Sequence, residues 1–177
     1  MFLRGDSFGN LRGGYEVEAI LFPMEKVFES YVAGQLKKAA RSVPAIERVD
    51  AQVGGFYLFE DGFARLRPDI VATLRDGTRV VLDTKWKRAA SPKSISAADM
   101  YQMYAYGRKC AGPLQDSGSD SPMRRVILVY PKSGDEHWGD SLRSGDGVVL
   151  SAFRVNLNDG DASDFIELAE LVAGADA

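Results

Sequence analysis

The stretch Arg67–Arg88, RPDIVATLRDGTRVVLDTKWKR, constrains the fold more than any other part of the chain. Two runs of Ile, Val and Leu flank Arg-Asp-Gly-Thr, and an Asp-Gly pair between such runs marks a tight antiparallel hairpin. Yet the first run opens on Asp69, and the second closes on Asp83 and Lys85. A buried sheet excludes such groups unless they are paired or hold a metal. Side chains two apart on a strand share a face, so Asp83, Lys85 and Lys87 point the same way. Hairpin pairing then brings Asp69 beside Asp83.

The elements around this hairpin follow from periodicity. Apolar residues at Met24, Val27, Phe28, Tyr31, Val32 and Leu36 have helical spacing, with Pro23 at the start and Ser-Val-Pro at the end. RVDAQVGGFYLFE reads as a strand broken at Gly54-Gly55, and RLRPDIVATL and RVVLDTKWK as the strands of the hairpin. ADMYQMYAYGRKC is a second helix that Asp99 caps or begins. RRVILVYP is a continuous apolar strand, SGDEHWGDSLRSGDG a polar loop and GVVLSAFRVNL a further strand. DASDFIELAELVAG is a terminal helix, with Asp161 or Ser163 as its cap. The order predicts one α/β domain over 1–177, a small mixed sheet flanked by helices. Residues 1–19 form an N-terminal extension, and 132–177 supply a C-terminal strand and helix.

At 177 residues, 45% of them hydrophobic and 27% charged, the chain can bury a full core without staples. No apolar run approaches a membrane span, and MFLRGDSFGN lacks the apolar segment of a signal peptide. Cys110 is the single cysteine, which excludes an internal disulfide and a cysteine-rich zinc site. A reducing, cytoplasmic setting is expected. The net charge of −3 hides an asymmetry. From Asp135 onward ten acids face two bases, leaving fifteen acids and twenty bases before it. A basic body with an acidic tail is compatible with a phosphate-bearing ligand. His137, the single histidine, sits in the polar loop and is expected at the surface. No phosphate-cradling glycine loop is present, so the chain is not expected to bind GTP or ATP itself.

Two carboxylates gathered at a hairpin suit a hard divalent cation such as Mg2+, which prefers oxygen ligands. A lysine on the same face can orient a water or neutralise a phosphate. Metal-assisted phosphodiester hydrolysis needs those parts. Taken singly, an Asp-x-Lys on a strand is an ordinary ion pair, and Pro-Asp is ordinary turn chemistry. The combination is more specific.

Five segments, ILFPMEKVFESYV, LRPDIVATL, VVLDTKWKR, DMYQMYAYGRKC and VILVYP, carry a resemblance in a fixed order from Ile20 to Pro131. They resemble the C-terminal nuclease domain of the McrC family, within the PD-(D/E)xK superfamily. The resemblance implies a restriction-endonuclease-like α/β core. It also implies a Mg2+-dependent DNA endonuclease, with Mn2+ able to substitute, in a modification-dependent restriction system. Asp69 and Asp83 would be the acidic metal ligands, joined by the Thr84 carbonyl and by Glu29 from the first helix. Lys85 would be the catalytic lysine. Gln102 and Tyr106 match a Gln-x-x-x-Tyr pattern, and their i, i+4 spacing independently puts them on one helical face. Gln102 is assigned to catalysis, and Tyr106, with Lys87 and Arg88, to DNA. McrC proteins also carry an N-terminal region that engages McrB, a hexameric AAA+ GTPase. This chain begins a short way before the nuclease helix, so an McrB-like partner stays an open expectation beside DNA. Two alternatives stand beside this reading: a repair nuclease or exonuclease of the same superfamily, and a non-catalytic module that keeps the fold.

Overall fold

The computed structural model describes residues 22–87, 94–112, 123–132, 141–157 and 162–174. In chain order these form α1 (Met24–Ala39), a 3-10 turn (Ala40–Ser42), β1 (Ile46–Ala51), β2 (Phe56–Tyr57), β3 (Arg65–Leu66), β4 (Ile70–Leu74) and β5 (Arg79–Thr84). There follow α2 (Ala97–Lys109), β6 (Arg124–Pro131), β7 (Leu142–Arg143), β8 (Val148–Val155) and α3 (Ser163–Ala173).

The Asp-Gly hairpin forms as its sequence predicts. β4 and β5 pair antiparallel, with Ile70 opposite Leu82 and Val71 opposite Val81. Gly77 sits at φ 85° in the turn, where a side chain would be strained. The Asp76 carboxylate accepts the Thr78 N–H at 2.8 Å and stiffens the turn. This hairpin supplies the second and third strands of a six-stranded mixed sheet of order β1-β4-β5-β6-β8-β7. β1 is antiparallel to β4, β5, β6 and β8 run parallel, and β7 closes the edge antiparallel. β2 and β3 make a separate two-stranded ribbon.

Continuous apolar runs in β5 and β6 reflect a sheet covered on both faces. Val80 and Leu82 point into one layer with Phe28, Val32, Leu36 and Leu168, from α1 and α3. Val81 points into the other layer, with Met103 and Tyr106 of α2. Asp83 continues the Val81 side, so the strand's alternation delivers it towards α2.

Several boundaries differ from the sequence reading, each for a local reason. The strand expected over 48–60 stops at Ala51, and Gln52 turns the chain at φ 53°. The run from Arg65 to Leu74 is interrupted at Arg67–Asp69. Pro68 there has no N–H to give a ladder. β5 ends at Thr84: the Lys85 N–H still donates to the Val129 carbonyl at 2.9 Å, but the Lys87 N–H folds back onto the Lys85 carbonyl at 2.9 Å. Lys85 and Lys87 therefore leave the strand at its mouth. β7 lies in the segment read as a polar loop, because a two-residue strand has no period to detect. Ser163 is the first helical residue of α3 and not its cap, the cap position being Ala162. Asp161, the other candidate, and His137 fall outside the described residues.

Packing of α2 on the sheet is tight at Gly107, where a Cβ would lie 2.6 Å from Val148 Cγ1. Alanine is the better helix former by about 1 kcal/mol. Gly107→Ala should nevertheless lower the melting temperature by about 5 °C, because buried Val148 has no flexible end to move aside. Adding Val148→Ala should make the same change neutral or stabilising. A Gly107→Ala protein melting at or above wild type would contradict this seating of α2.

Candidate functional site

At the carboxyl end of β5, between the first turns of α1 and α2, lies a cleft of ≈ 320 Å³. α1 contributes Glu25, Lys26 and Glu29, and α2 contributes Gln102. The hairpin contributes Asp69, Asp83, Thr84, Lys85, Trp86 and Lys87. Trp86 is partly exposed and packs on Phe28, with ring centroids 5.5 Å apart.

Asp69 is fixed from the neighbouring strand. The Thr84 N–H and the Thr84 hydroxyl each donate to Asp69 Oδ2 at 2.8 Å. Asp83 is 2% exposed. Burial, and then the charge of Asp69, push its pKa up to about 6, against the opposing pull of Lys85. Lys85 Nζ lies 2.5 Å from Asp83 Oδ2, an ion pair. The ammonium is the charge partner of this buried carboxylate.

Lys85 is aimed by a chain of hydrogen bonds. Its Nζ donates to Gln102 Oε1 at 2.9 Å, and Gln102 Nε2 donates to the Tyr106 hydroxyl at 2.9 Å. That hydroxyl donates to the Arg67 carbonyl at 2.9 Å. The carbonyl belongs to the chain just before Asp69, so α2 is tied to both ends of the hairpin. Burial pushes the Tyr106 pKa up to about 12, so the phenol stays a donor. The expectation that Tyr106 touches DNA is corrected here. It is 4% exposed and its oxygen is committed inward; it orients Gln102 instead.

Glu29, buried at 4%, does turn into the cleft. Its oxygens take Lys26 Nζ at 2.6 Å and Gln52 Nε2 at 3.1 Å. The hydrogen bond to Glu29 raises the Lys26 pKa, and the charges of Glu29, Asp69 and Asp83 add to it. Lys87 lines the cleft while its ammonium pairs with Asp99. Arg88 lies outside the described residues. The structure thus gathers Glu29, Asp69, Asp83, Thr84, Lys85, Lys87 and Gln102 in one place.

The sequence reading assigned nothing to Lys26, Gln52 or Trp86 and left Asp99 as a helix start. Lys26 stands three residues before Glu29 on one helix, a visible pairing distance. Gln52 gave no signal, since it reaches Glu29 only by a left-handed turn 23 residues away.

Among the described residues, no group of three or more His, Cys, Asp or Glu stands ready to hold a metal ion. The pair Asp69 and Asp83 fits a divalent cation by other criteria. Burial penalises the Asp83 charge, and Asp69 repels it across the cleft. Both are hard oxygen donors.

Burial of the Asp83 charge, with Asp69 beside it, has a measurable consequence in metal-free protein. Folded Asp83 holds its proton more tightly than the unfolded chain does, so its contribution to stability is lost as pH rises from about 4 through about 6. Asp83→Asn removes that loss. In chelator, Asp83→Asn should melt about 5 °C above wild type at pH 7.5, with the gain shrinking towards zero at pH 4. An equal gain at both pH values, or a loss at pH 7.5, would show that the Asp83 charge is not held at a cost in this site.

The comparisons with known proteins agree with this architecture. The sequence model of the family described as McrBC 5-methylcytosine restriction system component matches residues 1–131. No curated protein matches the sequence. A chain in the Thermococcus gammatolerans assembly of McrB AAA+ hexamers with bound McrC superposes with a TM-score of 0.60 at 17% identity, over 84% of this chain and 33% of that one. Protein VC1899 from Vibrio cholerae superposes with a TM-score of 0.53 at 16% identity, over 92% of this chain and 40% of that one. At these identities the likeness is one of fold, and this chain spans well under half the length of either neighbour. No described helix is long and apolar enough to cross a membrane. With 131 of its 177 residues matched, the chain belongs to the McrBC 5-methylcytosine restriction system component family.

Proposed function

We propose that this chain is the nuclease part of a restriction system, a PD-(D/E)xK-type domain that hydrolyses DNA phosphodiesters with Mg2+ or Mn2+. The observation that carries the reading is the placement of Lys85. Its ammonium is held between Asp83 and Gln102, at the mouth of a cleft that also holds Asp69. A lysine needed only for solubility would not be aimed by three successive hydrogen bonds from the layer behind it.

In this reading Asp69, Asp83 and the Thr84 carbonyl would hold the cation, with Glu29 at the edge of the same cleft. The bound metal supplies Lewis-acid stabilisation of phosphoryl charge and a more acidic water. The chain's own residues do the remaining work. Thr84 holds Asp69 in one orientation through two donors. Gln102 cannot flip its amide without losing both the Tyr106 hydroxyl and Lys85, so the ammonium stays directed into the cleft. There it can donate to a water or to a non-bridging phosphate oxygen as charge develops. Lys26 and Lys87 bring positive charge from the α1 and hairpin sides, suited to the phosphates on either side of the scissile bond. The family and the T. gammatolerans neighbour support an McrB-like AAA+ partner as the component that delivers the domain to DNA.

A nicking assay on supercoiled plasmid tests the reading, beside calorimetry with Mn2+. Wild type should nick the plasmid only with Mg2+ or Mn2+. Asp83→Ala should lose both metal binding and nicking. Lys85→Ala should keep its metal affinity within a few-fold while turnover falls by about 100-fold or more. Closed circles should be cut, which separates this activity from an end-dependent exonuclease. Wild-type rates from Asp83→Ala would remove the site, and a parallel fall of affinity and turnover in Lys85→Ala would make the lysine structural.

A further inference from the structure

We infer that Asp99 is a positioning residue for Lys85, keeping its ammonium in the cleft from the α2 side independently of Asp83. The catalytic consequence rests on the nuclease reading above, whereas the geometry does not. Asp99 stands at the third position of α2, after the cap residue Ser96. Its N–H donates to Ser96 Oγ at 3.2 Å, and the Ser96 hydroxyl donates back to Asp99 Oδ2 at 2.7 Å. Capping needs only that N–H, which any residue but proline would supply. Capping thus leaves the carboxylate, beyond its Ser96 contact, able to take further partners, and it is turned inward, at 8% exposure.

Its two oxygens divide between two lysines. Oδ2 takes the Lys87 ammonium, and Oδ1 lies 3.8 Å from Lys85 Nζ, an ion-pair distance beyond a hydrogen bond. Lys85 thus has three oxygens around it: Asp83 Oδ2 at 2.5 Å and Asp99 Oδ1 at 3.8 Å as ion-pair partners, and Gln102 Oε1 at 2.9 Å as a hydrogen-bond acceptor. The first belongs to a carboxylate that would also serve a cation held at Asp69 and Asp83. The other two stand on α2, away from the carboxylate pair, and hold the ammonium when Asp83 is engaged. Burial pushes the Asp99 pKa up, but hydrogen bonds from Lys87 and Ser96 outweigh it and keep the carboxylate below its ordinary range. It also benefits from its place in the first turn of a helix.

Glutamate separates position from capping, since Glu is a favoured residue at this helical position but carries its carboxylate one methylene further. Two readouts are taken on wild type, Asp99→Asn and Asp99→Glu. The first is the side-chain ammonium spectrum of 15N-lysine-labelled, metal-free protein, with the Lys85 signal assigned through Lys85→Arg. The second is the single-turnover cleavage rate with the DNA affinity. Asp99→Glu should melt within about 2 °C of wild type. In both variants the Lys85 ammonium signal should broaden into exchange, and the rate should fall about 10- to 100-fold with affinity changed less than threefold. An unchanged Lys85 signal, a wild-type rate after the signal is lost, or melting that collapses in both variants would each overturn the inference. If wild type cleaves nothing with either metal, the nuclease reading fails, and the Lys85 signal alone decides whether Asp99 holds the lysine.

Discussion

Two carboxylates cannot share a buried cleft without positive charge beside them, and the rest of this structure answers that constraint. Asp83 is almost fully buried, and Asp69 adds a like charge from the neighbouring strand. In the protein alone Lys85 supplies the compensation, its ammonium 2.5 Å from Asp83 Oδ2, yet the Asp83 pKa stays raised. Keeping such a buried pair charged gives little net stability. The fold therefore carries at the end of its central strands a group of charges that weakens the metal-free protein. Strain of this kind persists where function needs it.

Everything that sets the geometry is borrowed from ordinary packing. The alternation of β5 sends Val80 and Leu82 to one layer and Val81 and Asp83 to the other. The ladder to β6 runs one bond past the strand end, to the Lys85 N–H, and places that lysine before the chain turns away. On the other side, α2 buries Met103 and Tyr106 in the sheet. From that anchored helix Gln102 reaches Lys85, and Tyr106 reaches the Arg67 carbonyl just ahead of Asp69. The position of the lysine thus depends on the same contacts that seat the helix.

Period two along β5 and the Asp-Gly turn made Asp69, Asp83 and Lys85 legible from the sequence, because strand alternation and hairpin pairing are local rules. The shared helical face of Gln102 and Tyr106 was equally legible, but the direction of that face was not. Tyr106 points into the sheet because α2 is a crossover helix between β5 and β6, a tertiary fact that i, i+4 spacing does not contain. Gln52 was invisible for a related reason, since its role depends on a backbone turn at φ 53° and on a partner in another element. Asp99 was read as a helix start, which it is. Its carboxylate acquires a further partner only because Lys87 and Lys85 leave β5 where α2 begins.

The central claim is that Asp69 and Asp83 form one cation site with Lys85 standing by. Anomalous diffraction from a crystal soaked in Mn2+ tests it most directly. The account expects one strong anomalous peak in contact with both carboxylates, with Lys85 moved off Asp83 and still bonded to Gln102. A cleft without anomalous signal at saturating Mn2+, with Lys85 unmoved on Asp83, would contradict it.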